Sequence, residues 1–187
     1  MTCRFDAAAH VYTDEQGREL PHITGILLKA GLVDDTWFTA ESSARGRAVH
    51  ALTTDYDLGI LDRSDFTSAY KGYLQAYARA MEIVRPEWDL IEVPLAHDVL
   101  RFAGRPDRIG RMYGLISVLE IKSGAPHPAH QIQTALQALL AAQETGLPAI
   151  HHARYAVYIR ADGKFKLEQH HDADDIRNAE GIVRRFA

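Results

Sequence analysis

The sequence predicts an α/β fold, a central mixed β-sheet flanked by helices. Three observations carry this. Apolar residues recur at helical spacing through the first half, short strands cluster from Trp88 onward, and a further helix separates that cluster from a last hairpin. No internal repeat, low-complexity tract or Ser/Gly linker interrupts the run, so residues 1–187 read as one domain with an N-terminal hairpin and helical region, 1–86, and a core, 87–187.

His10 to Leu20 reads as a hairpin turning near Asp14 to Gly17, and Ile23 to Leu32 as a short buried helix stopped by Gly31. Residues 40–58 carry Ala44, Ala48 and Leu52 at helical spacing before Gly59. The next helix is predicted after Ser64 as N-cap, with Phe66, Tyr70, Tyr73, Leu74, Tyr77, Met81 and Val84 on one core face, ending before Pro86. Its aromatic stripe fits core packing better than base stacking. Strands are then predicted over 89–96, 99–103, 106–111 and 115–122. Pro128 opens a helix that buries Ile132, Leu136, Leu139 and Leu140 and closes at Gly146 and Pro148. Tyr155, Val157 and Ile159 alternate into a hairpin turned by Asp162-Gly163, and residues 172–186 form a closing amphipathic helix.

Composition narrows the function. With 187 residues, 47% hydrophobic and 25% charged, the chain can enclose a core without staples. A single cysteine, Cys3, excludes an internal disulfide framework and a cysteine-bound iron-sulfur cluster, which points to a reducing cytoplasm. No stretch approaches the ~18 apolar residues of a membrane span, and no export signal is visible, so no membrane partner is expected. A net charge of -4 argues against bulk polyanion binding. Nucleic-acid contact must come from a local groove, and metal-binding carboxylates would themselves make such a protein mildly acidic.

The informative segment is Gly104-Arg105-Pro106-Asp107, followed by Leu119-Glu120-Ile121-Lys122. Residues two apart on a strand share a face, so Glu120 and Lys122 project together while Ile121 enters the opposite layer. Asp107 on the adjacent strand would bring a second carboxylate beside Glu120, and two such groups repel unless a proton or cation joins them. A hard dication resolves the conflict: two carboxylates, a backbone carbonyl such as that of Ile121, and phosphate oxygens make a Mg2+ site. Such an ion activates water and stabilises charge on phosphate, and Lys122 adds a cation beside it. A Glu-X-Lys alone is common by chance, and its weight comes from context.

The whole arrangement resembles the PD-(D/E)XK nuclease superfamily, with a literal Pro106-Asp107 and Glu120-Ile121-Lys122, and within it the RecB-like exonucleases of phages and prophages. That subgroup's Leu-Pro-Ser-Val-Thr-like segment is matched by Leu20-Pro21-His22-Ile23-Thr24. Its Arg-Gly-X-X-Val-His helix is matched by Arg45-Gly46-Arg47-Ala48-Val49-His50. The likeness covers about residues 10–140 in the family's order. It implies a restriction-endonuclease-like core, with Asp107 and Glu120 as metal ligands, Lys122 as a catalytic residue and His50 as a further ligand. Imidazole accepts transition metals, so Mn2+ is expected beside Mg2+. Gly46 lies one turn before His50 on the same face, where close approach by backbone or phosphate would explain a helix-weakening glycine.

Glu92, on the strand before the motif, matches a glutamate frequent in the subgroup. His130, Gln133 and Gln137 form a polar strip on the downstream helix. The family's Gln-X-X-X-Tyr motif begins at Gln133, but Gln137 occupies the tyrosine position, which puts the tyrosine's role in doubt. Arg45, Arg47, Arg105 and Arg108 are candidate phosphate-holding residues. His151-His152 and His170-His171 read as surface histidines, because neighbours on a strand face opposite ways and no ligand set supports them.

These readings lead to a Mg2+- or Mn2+-dependent deoxyribonuclease. The resemblance implies an exonuclease acting on DNA ends in phage or prophage recombination or repair, in a bacterial cytoplasm or phage-infected host, with a single-strand annealing protein as partner. An endonuclease of the same fold and a non-catalytic DNA-binding module are the alternatives. Oligomeric state is not legible.

Overall fold

The computed structural model describes residues 3–34, 36, 39–62 and 68–186. Strands β1 (Arg4–Asp6), β2 (Val11–Thr13) and β3 (Glu19–Leu20) form a small antiparallel sheet in chain order. Its β2–β3 half is the predicted hairpin. The three residues of β1 are too few for an alternation to register in the sequence. Helix α1 (Ile23–Lys29) starts at His22, whose ring accepts the Gly25 N–H, and buries Ile23, Ile26 and Leu27. Helix α2 (Ala40–Leu58) is capped by the Thr39 hydroxyl and stopped at Gly59, which takes the left-handed φ of 69° that glycine adopts freely. Only Val49 and Thr53 of its 19 residues are fully buried. This helix therefore contributes little to the core and leaves a long face beside a cleft.

Helix α3 (Lys71–Val84) buries Leu74, Tyr77, Ala80, Met81 and Val84. These members of the stripe are core packing, as their spacing required, whereas Tyr73 packs against the edge of the cluster and stays partly exposed. The helix starts at Lys71, with Tyr70 just outside it. The predicted N-cap Ser64 and first aromatic Phe66 lie outside the described residues.

The main sheet has five described strands in the order β10–β9–β8–β7–β4, from β4 (Glu87–Ile91), β7 (Arg108–Met112), β8 (Leu115–Lys122), β9 (Ala153–Ile159) and β10 (Phe165–His170). Only β8 and β9 run parallel, which makes the sheet mixed. Their connection is helix α4 (Ala129–Thr145), supplying the long crossover that a parallel pair needs. Pro128 is its N-cap rather than its first residue, and Gly146 ends it. Helix α5 (Asp174–Phe186) packs beside α4. One sheet face presents Ile109 and Val118 to Leu136, Leu139 and Leu140 of α4, with Ile176 and Val183 of α5 in the same cluster. The other presents Leu119, Ile121, Val157 and Ile159 to Tyr77, Ala80 and Met81 of α3. The buried hydrophobic positions of the central strands thus pack against helices on both faces, as an α/β layer structure requires, while Leu115 at the start of β8 stays exposed.

Three strand predictions need correction. The run 89–96 is two strands, β4 and β5 (Leu95–Ala96), because Glu92 adopts a φ of 53° and Pro94 cannot donate to a ladder. The run 99–103 is mostly turn. The His97 ring accepts the Val99 and Leu100 N–H groups, and only Ala103–Gly104 (β6) pairs with β5. The run 106–111 starts later, at Arg108, leaving Asp107 on the bend that enters β7. Gly110 explains the close fit of β4: a Cβ there would lie 2.1 Å from the Glu87 carbonyl oxygen, beside the register shift between Trp88 and Leu90.

The histidine pairs are also corrected in part. His151 and His171 are exposed, but His152 and His170 are buried and each shares a hydrogen bond with a threonine hydroxyl, Thr145 and Thr134, at 2.8 Å. His151 and His152 lie at the end of a short 3-10 helix rather than on a strand, His170 is the last residue of β10, and burial pushes the His152 and His170 rings below the ordinary histidine pKa. No described helix is long and apolar enough to cross a membrane.

Candidate active site

Asp107 sits where β7 begins beside β8, and the antiparallel register continues through it to the level of Glu120. Its Oδ2 accepts the Ile121 N–H at 2.6 Å, so a side chain takes over a bond that a ladder would make. Its backbone carbonyl accepts the Glu92 N–H at 3.0 Å. The break at Glu92 therefore brings that residue directly against Asp107. A straight strand through 89–96 would not turn there.

His50 completes the group from α2. Its Nδ1 lies 3.0 Å from Glu92 Oε1 and 3.3 Å from Asp107 Oδ1. One ligand atom from each of His50, Glu92 and Asp107 lies within 4.8 Å of the other two. Burial alone would lower the imidazole pKa, but the Asp107 carboxylate, followed by Glu92, overrides it and raises His50 to about 10. Two carboxylates are thus held together by one protonated ring.

Glu120 stands beside this group on β8. Its Oε1 lies 2.6 Å from Lys122 Nζ and accepts Gln133 Nε2 at 2.7 Å, while its Oε2 accepts Gln137 Nε2. Glu120 and Lys122 share a face as strand alternation predicts, and the Ile121 side chain is buried in the opposite layer. The expected convergence of Asp107, Glu120 and Lys122 is present: all three line one cleft of about 810 Å3 with His50, Glu92 and Gln137.

Gln137, at the tyrosine position, is 1% exposed and lies under Glu120. Gln133 also faces the cleft, whereas His130 does not line it. The His130 ring shares a 2.9 Å hydrogen bond with the Tyr158 hydroxyl, and burial, with Lys122 nearby, drives its pKa down to about 3. This neutral ring is not a phosphate cation.

The arginines divide. Arg47 and Arg105 line the cleft and are exposed; Arg105 Nε lies 2.9 Å from Glu92 Oε2. Arg45 reaches sideways to the Ser123 hydroxyl at 3.4 Å. Arg108 is 0% exposed, so its expected role at phosphate is corrected. Its guanidinium bonds Asp57 at 2.5 Å and the Asp107 carbonyl at 2.6 Å, bracing the Asp107 bend from behind. Asp57, which also accepts the Tyr77 hydroxyl at 2.6 Å, is a supporting residue that sequence reasoning missed. Nothing in its local pattern separates it from a solvated helix acid.

The donor set fits a divalent cation: two carboxylates and an imidazole converge where one imidazolium offsets only one of the two negative charges. The sequence profile of the PD-(D/E)XK nuclease superfamily matches residues 28–186. The chain belongs to this superfamily. A comparison with curated proteins finds no match. The mixed sheet flanked by helices is the restriction-endonuclease-like core of these nucleases, and family membership implies metal-dependent cleavage of DNA. The match leaves the β1–β3 layer outside it. In this nuclease His50, Glu92 and Asp107 form a cluster whose ligand atoms are close enough together to hold one metal ion.

Because the folded-state pKa of His50 is raised, its stabilisation of the metal-free protein is complete below the ordinary value of 6.5 and vanishes as pH climbs through about 10. An NMR titration of the ring in chelator-treated protein should show no deprotonation between about pH 6 and 8, where an unperturbed histidine titrates. A midpoint near the ordinary value would contradict the coupling to Asp107 and Glu92.

Proposed function

We propose that this nuclease hydrolyses DNA phosphodiester bonds with Mg2+ or Mn2+ and acts on DNA ends as an exonuclease of the RecB-like phage and prophage type. The observation that carries the reading is the meeting of His50, Glu92 and Asp107 with Glu120 and Lys122 in one cleft. A purely structural use of these groups would not need two carboxylates against one imidazole in the wall of a cleft, where like charges oppose each other. The retention of Asp107, Glu120 and Lys122 together favours catalysis over a binding module.

His50, Glu92 and Asp107 would hold the metal, with Glu120 and the Ile121 carbonyl on its β8 side. When bound, the dication lowers the pKa of water and neutralises charge on the phosphoryl group. The chain's own residues do the rest. Gln133 and Gln137 fix both oxygens of Glu120, and Glu120 holds the Lys122 ammonium at 2.6 Å, where it can orient the attacking water or meet charge developing on phosphate. Asp107 is held by the Ile121 N–H and braced by Arg108. Arg47 and Arg105 offer forked donors to the flanking phosphates.

The setting that the resemblance supports is phage or prophage recombination in a bacterial cytoplasm, with the exposed strand passed to a single-strand annealing protein. Nucleotide release from linear duplex DNA with Mg2+ tests the site. Lys122→Ala and Asp107→Ala should each lower it by about 100-fold or more, the scale seen when one preorganised charge-stabilising group is lost. Undiminished digestion by both variants would remove the assignment, and cutting of closed circles at the same rate as linear DNA would favour an endonuclease.

Gly46 gives a second test with two readouts of opposite sign. It lines the cleft one turn from His50, and a Cβ built there meets nothing within 4 Å. The protein itself therefore does not require glycine. An incoming DNA backbone would. Gly46→Ala should raise folding stability by roughly 1 kcal/mol, the helix-propensity difference, while raising the KM for DNA. A stabilised variant with unchanged KM would show that the strand passes elsewhere.

A further inference from the structure

A second groove, of about 710 Å3, opens beside the cleft at the carboxyl ends of the parallel strands β8 and β9. Its walls include Tyr73 of α3, Pro126 of the loop after β8, and Arg160, Lys164, Phe165 and Lys166 of the last hairpin. The two depressions adjoin. Lys122 lines the cleft, Ser123 lines the groove, and the Arg45 guanidinium of α2 donates to the Ser123 hydroxyl at 3.4 Å. The cleft and the groove therefore meet where β8 ends.

The groove's chemistry differs from that of the chain as a whole. Among its described lining residues are three cations and a single carboxylate, Asp162, in a protein of net charge -4. Arg160 and Lys164 both lean on Asp162, at 3.2 and 3.4 Å, with side chains 68% and 75% exposed, and Lys166 pairs with Glu168 at 2.5 Å, so each groove cation has a carboxylate partner near the surface. Exposed pairs of this kind add little to stability and exchange readily for phosphate. The partly exposed rings of Tyr73 and Phe165 lie beside these cations. Gly72 fixes that proximity: a Cβ on it would lie 1.8 Å from the Ala161 carbonyl oxygen, so α3 meets the hairpin backbone to backbone just before Tyr73.

We propose that this groove is a subsite for unpaired nucleotides of the DNA strand next to the scissile phosphate. Tyr73 and Phe165 receive base faces, and Arg160, Lys164 and Lys166 receive phosphates. Cations interleaved with aromatic faces are what unpaired nucleic acid binds without sequence preference. A duplex keeps its base faces stacked and cannot use the rings. The volume also lies in the range, about 300–1,000 Å3, that encloses one small ligand rather than a double helix. The proposal rests on the nuclease reading of the adjoining cleft, and it assigns that site a preference for ends carrying a single-stranded overhang.

Fluorescence anisotropy with labelled hairpin oligonucleotides, one blunt and one with an overhang, tests it, with Ca2+ in place of Mg2+ to limit turnover. The wild type should bind the overhang more tightly. Tyr73→Ala should reduce the overhang-to-blunt preference by about tenfold, the scale of one lost base stack. Arg160→Ala combined with Lys164→Ala, at exposed positions that the fold does not need, should lower overhang affinity and flatten its logarithmic salt dependence by roughly 1.4, for two lost phosphate contacts. An unchanged preference in both folded variants, or no preference in the wild type, overturns the groove assignment. Parallel digestion of the same oligonucleotides with Mg2+ separates the two claims. A wild type that prefers overhangs through this groove but never cleaves defeats the nuclease reading alone; one that cleaves while both variants keep wild-type binding defeats the groove alone.

Discussion

The site depends on holding Asp107 and Glu92 together against their mutual repulsion. The His50 imidazolium sits between the two carboxylates, and Arg105 adds a second positive charge on the far oxygen of Glu92. The rest of the architecture serves that contact. The Ile121 N–H and Arg108 fix the Asp107 bend, the chain break at Glu92 turns its carboxylate inward, and α2 carries His50 on a face that the core does not claim. A dication in the same place would do the proton's electrostatic work with twice the charge.

A division of labour follows between the two sides of the cleft. The His50, Glu92 and Asp107 side is organised around a cation. The Glu120 side is organised around hydrogen bonds, with two glutamine amides and Lys122 occupying the carboxylate. Gln137 is the departure from the family pattern, and its geometry gives that departure a physical role. Its amide nitrogen donates to Glu120, while its amide oxygen is buried without a hydrogen-bond partner. An unsatisfied buried acceptor is costly. Gln137 lines the cleft beneath Glu120, so this cost is borne within the site itself.

Much of this was legible in the sequence because it is written in periods and order. Alternation put Glu120 and Lys122 on one face and Ile121 on the other, and Gly59 and Gly146 marked helix ends through the backbone angles they permit. What escaped depends on tertiary context. Glu92 looked like an ordinary strand position, since a left-handed residue ahead of a proline leaves no hydrophobic signature. Arg108 resembled the other arginines of the motif, since charge alone does not reveal which guanidinium is turned inward to meet Asp57. His152 and His170 were assigned to the surface by the same reasoning that correctly exposed their neighbours, and it took α4 to cover them.

Crystals soaked with Mn2+ give the most direct measurement of the central claim, through the anomalous signal of the ion. The account predicts a peak within ordinary coordination distance, about 2.0–2.6 Å, of the His50 ring and of the Glu92 and Asp107 carboxylates together. A peak held elsewhere, with His50 and Glu92 still paired to each other, would contradict it.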